Sequence, residues 1–253
     1  MRILYTASEA LPYAASGGLA DVAGSLPAAL CKAGHDCRVV LPLYKSIKPE
    51  LRKKLKFLKN FTVDVGWRKQ YCGVFEGHEN GVTYYLLDNE YYYARDGLYG
   101  FYDDCERFVF LSRAVMELIK QIDWKPQIIN CNDWQTALVP VYYQTYYKFQ
   151  YGYEDIKTVF TIHNIQYQGR YGMDVINDIM GIPMYHANIL EYDGAVNLMK
   201  GAFETADKIT TVSPSYAWEI LDPWYSHGLD RARTNKQYKL CGFLNGIDTK
   251  LYD

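Results

Sequence analysis

Residues 1–41 read MRILYTASEALPYAASGGLADVAGSLPAALCKAGHDCRVVL, and the architecture can be followed outward from that one stretch. Residues 2–6 form a short apolar run that predicts a first strand. Ser16-Gly17-Gly18-Leu19-Ala20-Asp21 follows as a glycine turn, and residues 21–32 carry apolar side chains at helical spacing. Residues 37–41 are apolar after Arg38, as expected of a strand buried on both faces. Strand, glycine turn, helix and strand in that order describe a βαβ unit with a right-handed crossover.

The alternation continues downstream. Residues 48–58 predict an amphipathic helix through Leu51, Leu55 and Leu58. Residues 61–65, 71–75 and 82–87 read as strands, the last entered through the hairpin turn signal Asn80-Gly81. Residues 106–122 predict a long helix with Phe110, Ala114, Leu118 and Ile122 on one stripe. A strand at 127–131 is followed by a helix at 134–149, kinked at Pro140. A strand at 158–162, a helix at 194–206 and a strand at 208–212 come next, and Ser213 caps a helix with Pro214 at its first position. The expected fold class is α/β, a doubly wound, mostly parallel sheet. No repeat, low-complexity tract or interior linker divides the chain, so residues 1–253 read as a single domain. In such sheets ligands bind beyond the carboxyl ends of the strands.

Composition narrows the function classes. Of 253 residues 49% are hydrophobic and 22% charged, the balance of a folded protein rather than a disordered one. A net charge of −2 offers no field for nucleic acid or an anionic membrane, so neither is expected as a partner. No apolar run is long enough to span a bilayer, and MRILYTASEA reads as a strand, not a secretory leader. Six cysteines without a CxxC pair fit a reduced, cytoplasmic protein and suggest no zinc site, so no metal or cofactor is expected. The 25 tyrosines suit a core and equally suit sugar binding.

Four motifs fall at strand ends. The first is the Gly17-Gly18 turn, where backbone amides can approach a phosphate at a helix start; a turn needed only for chain reversal is the competing reading. It matches neither GxGxxG nor GK[ST]. The second is Asn130-Cys131-Asn132-Asp133-Trp134-Gln135, a carboxylate beside an indole, suited to a sugar's hydroxyls and apolar face. Alternatively, Asp133 is an N-cap and Trp134 a core anchor. The third is Thr161-Ile162-His163-Asn164, with an imidazole and an amide side by side. The fourth is the polar-aromatic loop 89–100, with Tyr91, Tyr92, Tyr93, Arg95, Asp96 and Tyr99, which grips a sugar or folds its tyrosines inward. The lysines of 45–59 read as the solvated face of one helix. Tyr142, Tyr143, Tyr146 and Tyr147 read as packing, with some hydroxyls reaching water.

Together these motifs resemble the bacterial glycogen synthases and plant starch synthases. The resemblance runs through Ala15-Ser16-Gly17-Gly18-Leu19-Ala20-Asp21-Val22, Gly24-Ser25-Leu26-Pro27, Glu106-Arg107-Phe108 and Asn132-Asp133-Trp134-Gln135-Thr136-Ala137. It continues through 161–169 and 211–217 to Leu244-Asn245-Gly246-Ile247-Asp248. It covers essentially the whole chain, in order. It implies one Rossmann-like half of a GT-B glycosyltransferase, here the N-terminal catalytic domain, the C-terminal nucleotide-binding domain lying outside this sequence.

The activity implied is retaining transfer of glucose from ADP-glucose to the non-reducing 4-hydroxyl of an α-1,4-glucan or maltooligosaccharide. By resemblance, Gly17 and Gly18 approach the donor diphosphate, Asp21 lies beside the donor glucose, and Asn164 and Asn245 also serve the donor. His163 and Asp133 are the catalytic residues; His163 sits under the glucose, where positive charge develops. Tyr99 and Trp134 serve the acceptor. The family's lysine before the glycine pair is Ala15 here. The isolated half is expected to fold without turning over. Two rival readings are a non-catalytic glucan-binding module and a GT-B transferase using UDP-glucose.

Overall fold

The computed structural model describes residues 1–229 and 237–246. Its strands begin with β1 (Arg2–Thr6), β2 (Asp36–Pro42), β3 (Lys56–Val65), β4 (Arg68–Glu79), β5 (Val82–Asp88) and β6 (Ile128–Asn132). They continue with β7 (Lys157–Ile162), β8 (Arg170–Tyr171), β9 (Glu191–Tyr192), β10 (Ala195–Asn197), β11 (Lys208–Thr211) and β12 (Leu240–Gly242). The helices are α1 (Gly18–Lys32), α2 (Pro49–Arg52), α3 (Glu90–Tyr93) and α4 (Asp104–Gln121), then α5 (Leu138–Tyr142), α6 (Val175–Asp178), α7 (Leu198–Thr205) and α8 (Pro214–Glu219).

Nine strands form one sheet in the order β12-β11-β7-β6-β1-β2-β5-β4-β3. The run from β12 to β5 is parallel, and β4 and β3 add an antiparallel edge. The mostly parallel, doubly wound sheet expected from the sequence is therefore present. Its central strands are fully buried at Leu4, Val39, Val40, Ile129, Cys131, Phe160 and Ile162, which is why they read as apolar runs rather than alternations. From β1 the chain steps to β2 and β5 in one direction. From β6 it steps to β7, β11 and β12 in the other. Right-handed crossovers then place α1 on one face and α5 and α7 on the opposite face. The direction reverses between β1 and β6, and the crevice beyond those two strand ends is where such sheets hold ligands.

Several elements differ from expectation. The helix expected over 48–58 is only α2, and the chain extends from Lys56 into β3. Pairing with β4 over Lys56↔Glu76 to Val65↔Arg68 overrides the leucine spacing. Lys56 and Lys59 thus lie on the outermost strand of the sheet, not on a helix face. Other lysines of the stretch make ion pairs, Lys45 with Asp96 at 2.9 Å and Lys54 with Glu79 at 3.4 Å.

In place of one helix over 134–149 there are three turns of different pitch. They are a 3-10 segment at Trp134–Thr136, α5, and a π segment at Tyr143–Tyr147. Pro140 lies within α5 and has no N–H to give to an i−4 ladder. Each of the four tyrosine hydroxyls there donates to an acceptor within the protein. Tyr142 donates to Met180 O at 2.8 Å and Tyr143 to Tyr153 O at 3.2 Å, while Tyr146 and Tyr147 donate to Gly181 O and Glu117. The helix expected over 194–206 begins only at Leu198, after β10, with Asn197 as its cap accepting from Lys200 N. Ser213 caps α8 as expected, accepting from Tyr216 N at 2.9 Å. Asn80 (φ 52°) and Gly81 (φ 77°) close the β4–β5 hairpin in the left-handed conformation their signal implies. Among the described residues no helix is long and apolar enough to cross a membrane.

Candidate active site

A cavity of about 790 Å³ opens at the reversal point of the sheet. The segment after β1 brings Glu9, Ser16, Gly17 and Gly18 to it; the turn after β6 brings Asp133 and Trp134. His163 and Asn164 arrive from the end of β7, Tyr99 from the loop before α4, and Asn245 from beyond β12. Eight of the nine residues singled out in the sequence thus share one cavity. Asp21 does not line it; it stands one turn into α1. Ile247 and Asp248 lie outside the described residues. His163, Val212 and Asn245 also border a second cavity of about 610 Å³ between α1 and the ends of β6, β7 and β11.

Asp133 is no helix cap. Its backbone sits at φ 56° and ψ −178°, a costly setting for a non-glycine residue. Its carboxylate Oδ1 accepts from the amides of His163 at 2.8 Å and Asn164 at 3.2 Å. The residue thereby ties the end of β6 to the end of β7. Burial pushes its carboxyl up to about 7, against the two amide bonds that favour the charged form; the nearby Glu9 adds to the rise. His163 is held from the other side. Its Nε2 lies 2.9 Å from Asn132 Oδ1, and burial lowers its imidazole to about 4, so it is neutral near pH 7.

Trp134 is half-buried. Its ring stands edge-on to Phe108 at 5.2 Å, and Gly169 leaves it room, since a Cβ there would meet Cε3 at 2.7 Å. Trp134 packs against the core, as the anchor reading expects, and it also lines the cavity. Tyr99 hydrogen-bonds its hydroxyl to Ser8 Oγ at 2.7 Å. Elsewhere in the 89–100 loop the inward reading holds in part, since Tyr91 stays 60% exposed. Tyr92 and Tyr93 are fully buried in α3, and Arg95 is clamped by Asp103 at 2.5 and 2.7 Å.

Glu9 and Asp104 went unremarked in the sequence. Glu9 is buried at 4% exposure and its carboxylate accepts the Ser16 amide, so it shapes the glycine turn from beneath. Burial raises its carboxyl, while bonds from Ser16 and Gly17 oppose that rise. Asp104 accepts from Gly100 N at 2.8 Å and from Arg107 at 2.7 Å, fixing the loop that carries Tyr99. Glu9 follows a strand end and could have been flagged on that ground; Asp104 sits at a helix start, where an acid is ordinary. Among the described residues three carboxylates line the cavity, and no lysine or arginine does. Among the described residues no group of three or more His, Cys, Asp or Glu side chains is placed to hold a metal ion.

Fold and site together define a Rossmann-like α/β domain with its pocket at the topological switch point. Residues 2–235 match the family model described as the starch synthase catalytic domain, and the chain belongs to that family. The glycogen synthase of Clostridium botulinum (strain Alaska E43 / Type E3) is 52% identical over 251 residues, covering 98% of this chain and 52% of that protein. The glycogen synthase of Geobacillus stearothermophilus is 46% identical over 255 residues, covering all of this chain and 53% of that protein. The solved catalytic domain of starch synthase IV from Arabidopsis thaliana, bound to ADP and acarbose, superposes with a TM-score of 0.91 at 30% identity. It covers 100% of this chain and 53% of that one. The chain spans about half the length of the curated relatives it matches.

Proposed function

We propose that the chain forms one wall of the cleft of a retaining glucosyltransferase that moves glucose from ADP-glucose to the non-reducing 4-hydroxyl of an α-1,4-glucan. The observation that carries this reading is the glycine turn. Gly17 has extended backbone and Gly18 lies outside the left-handed region; a Cβ on Gly17 would make only ordinary contact with Glu9, and one on Gly18 would meet nothing within 4 Å. Neither packing nor chain reversal requires glycine there. Close approach of a ligand to the backbone does, and the first amides of a helix have no intrahelical acceptor.

The charge pattern supports a divided task. Carboxylates and an indole suit hydroxyl hydrogens and the apolar face of glucose, while among the described residues of this wall a diphosphate meets the backbone of the glycine turn and no lysine or arginine. On this reading the cations that hold the departing ADP belong to a second, nucleotide-binding domain on the opposite wall. Family membership and the ADP and acarbose of the starch synthase IV neighbour fit this division.

On this reading, donor glucose lies over His163 and Asp133, and the anomeric carbon gains positive charge as the phosphate leaves. The cavity's carboxylates are each engaged, Asp133 Oδ1 by two amides, Glu9 by the Ser16 amide and Asp104 by Gly100 N and Arg107, which makes each a poor nucleophile. Front-face displacement follows: the acceptor hydroxyl attacks from the side the phosphate leaves, and the leaving phosphate takes its proton. The protein contributes position and a preorganised field.

The test is transfer by the full-length protein carrying this chain, supplied with ADP-glucose or UDP-glucose and maltooligosaccharide. Elongation from ADP-glucose with α-configured product is expected. Glucan binding with no transfer would establish the binding-module reading, and transfer from UDP-glucose alone would reassign the donor. Residues 1–253 by themselves should melt cooperatively and transfer nothing, since loss of even one preorganised electrostatic group typically costs about 10²–10³ in rate.

A further inference from the structure

The turn after β6 places a third side chain at the cavity beside Asp133 and Trp134. Gln135 lines the same space, is 9% exposed, and its Oε1 is buried without a hydrogen-bond partner. Three other side-chain atoms among the described residues share that condition: Arg107 Nη2, Ser112 Oγ and Arg113 Nε. None of those three residues lines this cavity. Arg107 lies over Phe101 at 4.7 Å and Arg113 over Tyr142 at 4.8 Å, so aromatic faces take up part of their charge. Gln135 and Ser112 have no such relief, and of the two only Gln135 lines this cavity.

Its backbone is also well fixed. The Thr136 hydroxyl accepts from Asn132 N at 2.6 Å and donates to Asn132 O at 2.9 Å, bracing the turn on either side of Asp133. Trp134 is wedged between Phe108 and Gly169. A buried acceptor without a partner is normally selected against, because it forfeits its bond to water on folding. A rigid, orphaned acceptor at the edge of a ligand cavity is therefore a waiting contact. The missing group must be a donor, and the other polar side chains there, carboxylates and hydroxyls beside an indole, suit a neutral polyhydroxy ligand.

We propose that Gln135 is a sugar-binding residue whose Oε1 accepts a hydrogen bond from a hydroxyl of glucose, either in the donor or in the glucan. This rests on the glucosyltransferase reading above.

The experiment compares Gln135→Met, which keeps length and loses the acceptor, with Gln135→Glu, which keeps an acceptor oxygen at the same reach. Melting temperature and Michaelis constants for ADP-glucose and for maltooligosaccharide are measured in the full-length protein. Gln135→Met should melt no lower than the unsubstituted protein, since it removes an unsatisfied group. It should raise one sugar constant roughly fivefold to tenfold. The constant that moves names the source of the hydroxyl. Gln135→Glu should keep that constant closer to the original, which also covers a failure of the methionine variant to fold. Unchanged sugar constants in both variants, or a lower melting temperature as the only effect, would overturn the proposal while leaving the enzyme reading intact. No transfer by the unsubstituted protein would overturn both.

Discussion

The imidazole Nε2 of His163 and the carboxamide Oδ1 of Asn132 lie 2.9 Å apart, and the surroundings of Asn132 fix which of them donates. Asn132 Nδ2 already donates to Thr6 O and to Asn130 Oδ1, each at 2.9 Å. Its oxygen therefore faces the ring, Nε2 carries the proton, and Nδ1 is left as an acceptor. Asn130 in turn donates to Thr161, which pairs with Thr210, so the tautomer is set by a chain of side chains crossing three strands.

Asn132→Asp should put a carboxylate against Nε2 and favour the charged ring. The His163 titration, followed by imidazole NMR, should move upward from its value near 4. A titration that stays put would mean that burial alone governs the ring.

Asp133 and His163 respond to pH with opposite sign. The His163 ring, lowered from 6.5 to about 4, contributes stability that is present above 6.5 and lost as pH falls toward 4. The Asp133 carboxyl, raised from 3.8 to about 7, contributes stability that is present below 3.8 and lost as pH rises through 7. Asp133→Asn cannot titrate and should gain stability relative to the unsubstituted protein between pH 4 and 8, by at most about 4 kcal/mol. Denaturant melts at those two pH values check it, and a constant difference between the two proteins would show an ordinary carboxyl.

Glu9→Gln should loosen the glycine turn without emptying the core. The amides of Ser16 and Gly17 should exchange faster, and the ADP-glucose constant should rise about tenfold with the maltooligosaccharide constant unmoved. Exchange rates equal to those of the unsubstituted protein would show that Glu9 does not hold the turn.

Gly18→Val separates ligand approach from packing. With nothing within 4 Å of the new Cβ, the melting temperature should hold within a few degrees. Donor binding should be lost. Retained donor affinity would remove the glycine turn from the diphosphate site.

Where both faces of an element are buried, the sequence announces it. Residues 37–41 and 158–162 have few alternatives to a central strand, and β2 and β7 extend from them. Where long-range pairing decides, local pattern misleads. Leu51, Leu55 and Leu58 have helical spacing, yet β4 claims the end of that segment from Lys56 onward. The site was readable wherever a strand end met an unusual residue type, as at Asp133 and His163. It was not readable where a residue's meaning depends on its partners. Nothing near Glu9 in the sequence shows that it will receive the Ser16 amide, and nothing near Gln135 shows that its oxygen will be left without a donor. Asp133 looked like a cap because an acid before a helix usually is one; only its left-handed backbone turns the carboxylate across to β7.

The lysines of β3 bear on how the chain behaves in company. A nine-stranded sheet that ends in a ten-residue strand exposes a row of backbone donors and acceptors, a template on which a stranger's strand could grow. Lys56 and Lys59 stand exposed on that rim, and the ladder is broken between Phe57 and Lys59 by a shift of register. A second molecule approaching edge to edge would have to press like charges together along a bent rail. Crowding many copies together would multiply such encounters, and the charges and bend of this rim oppose them.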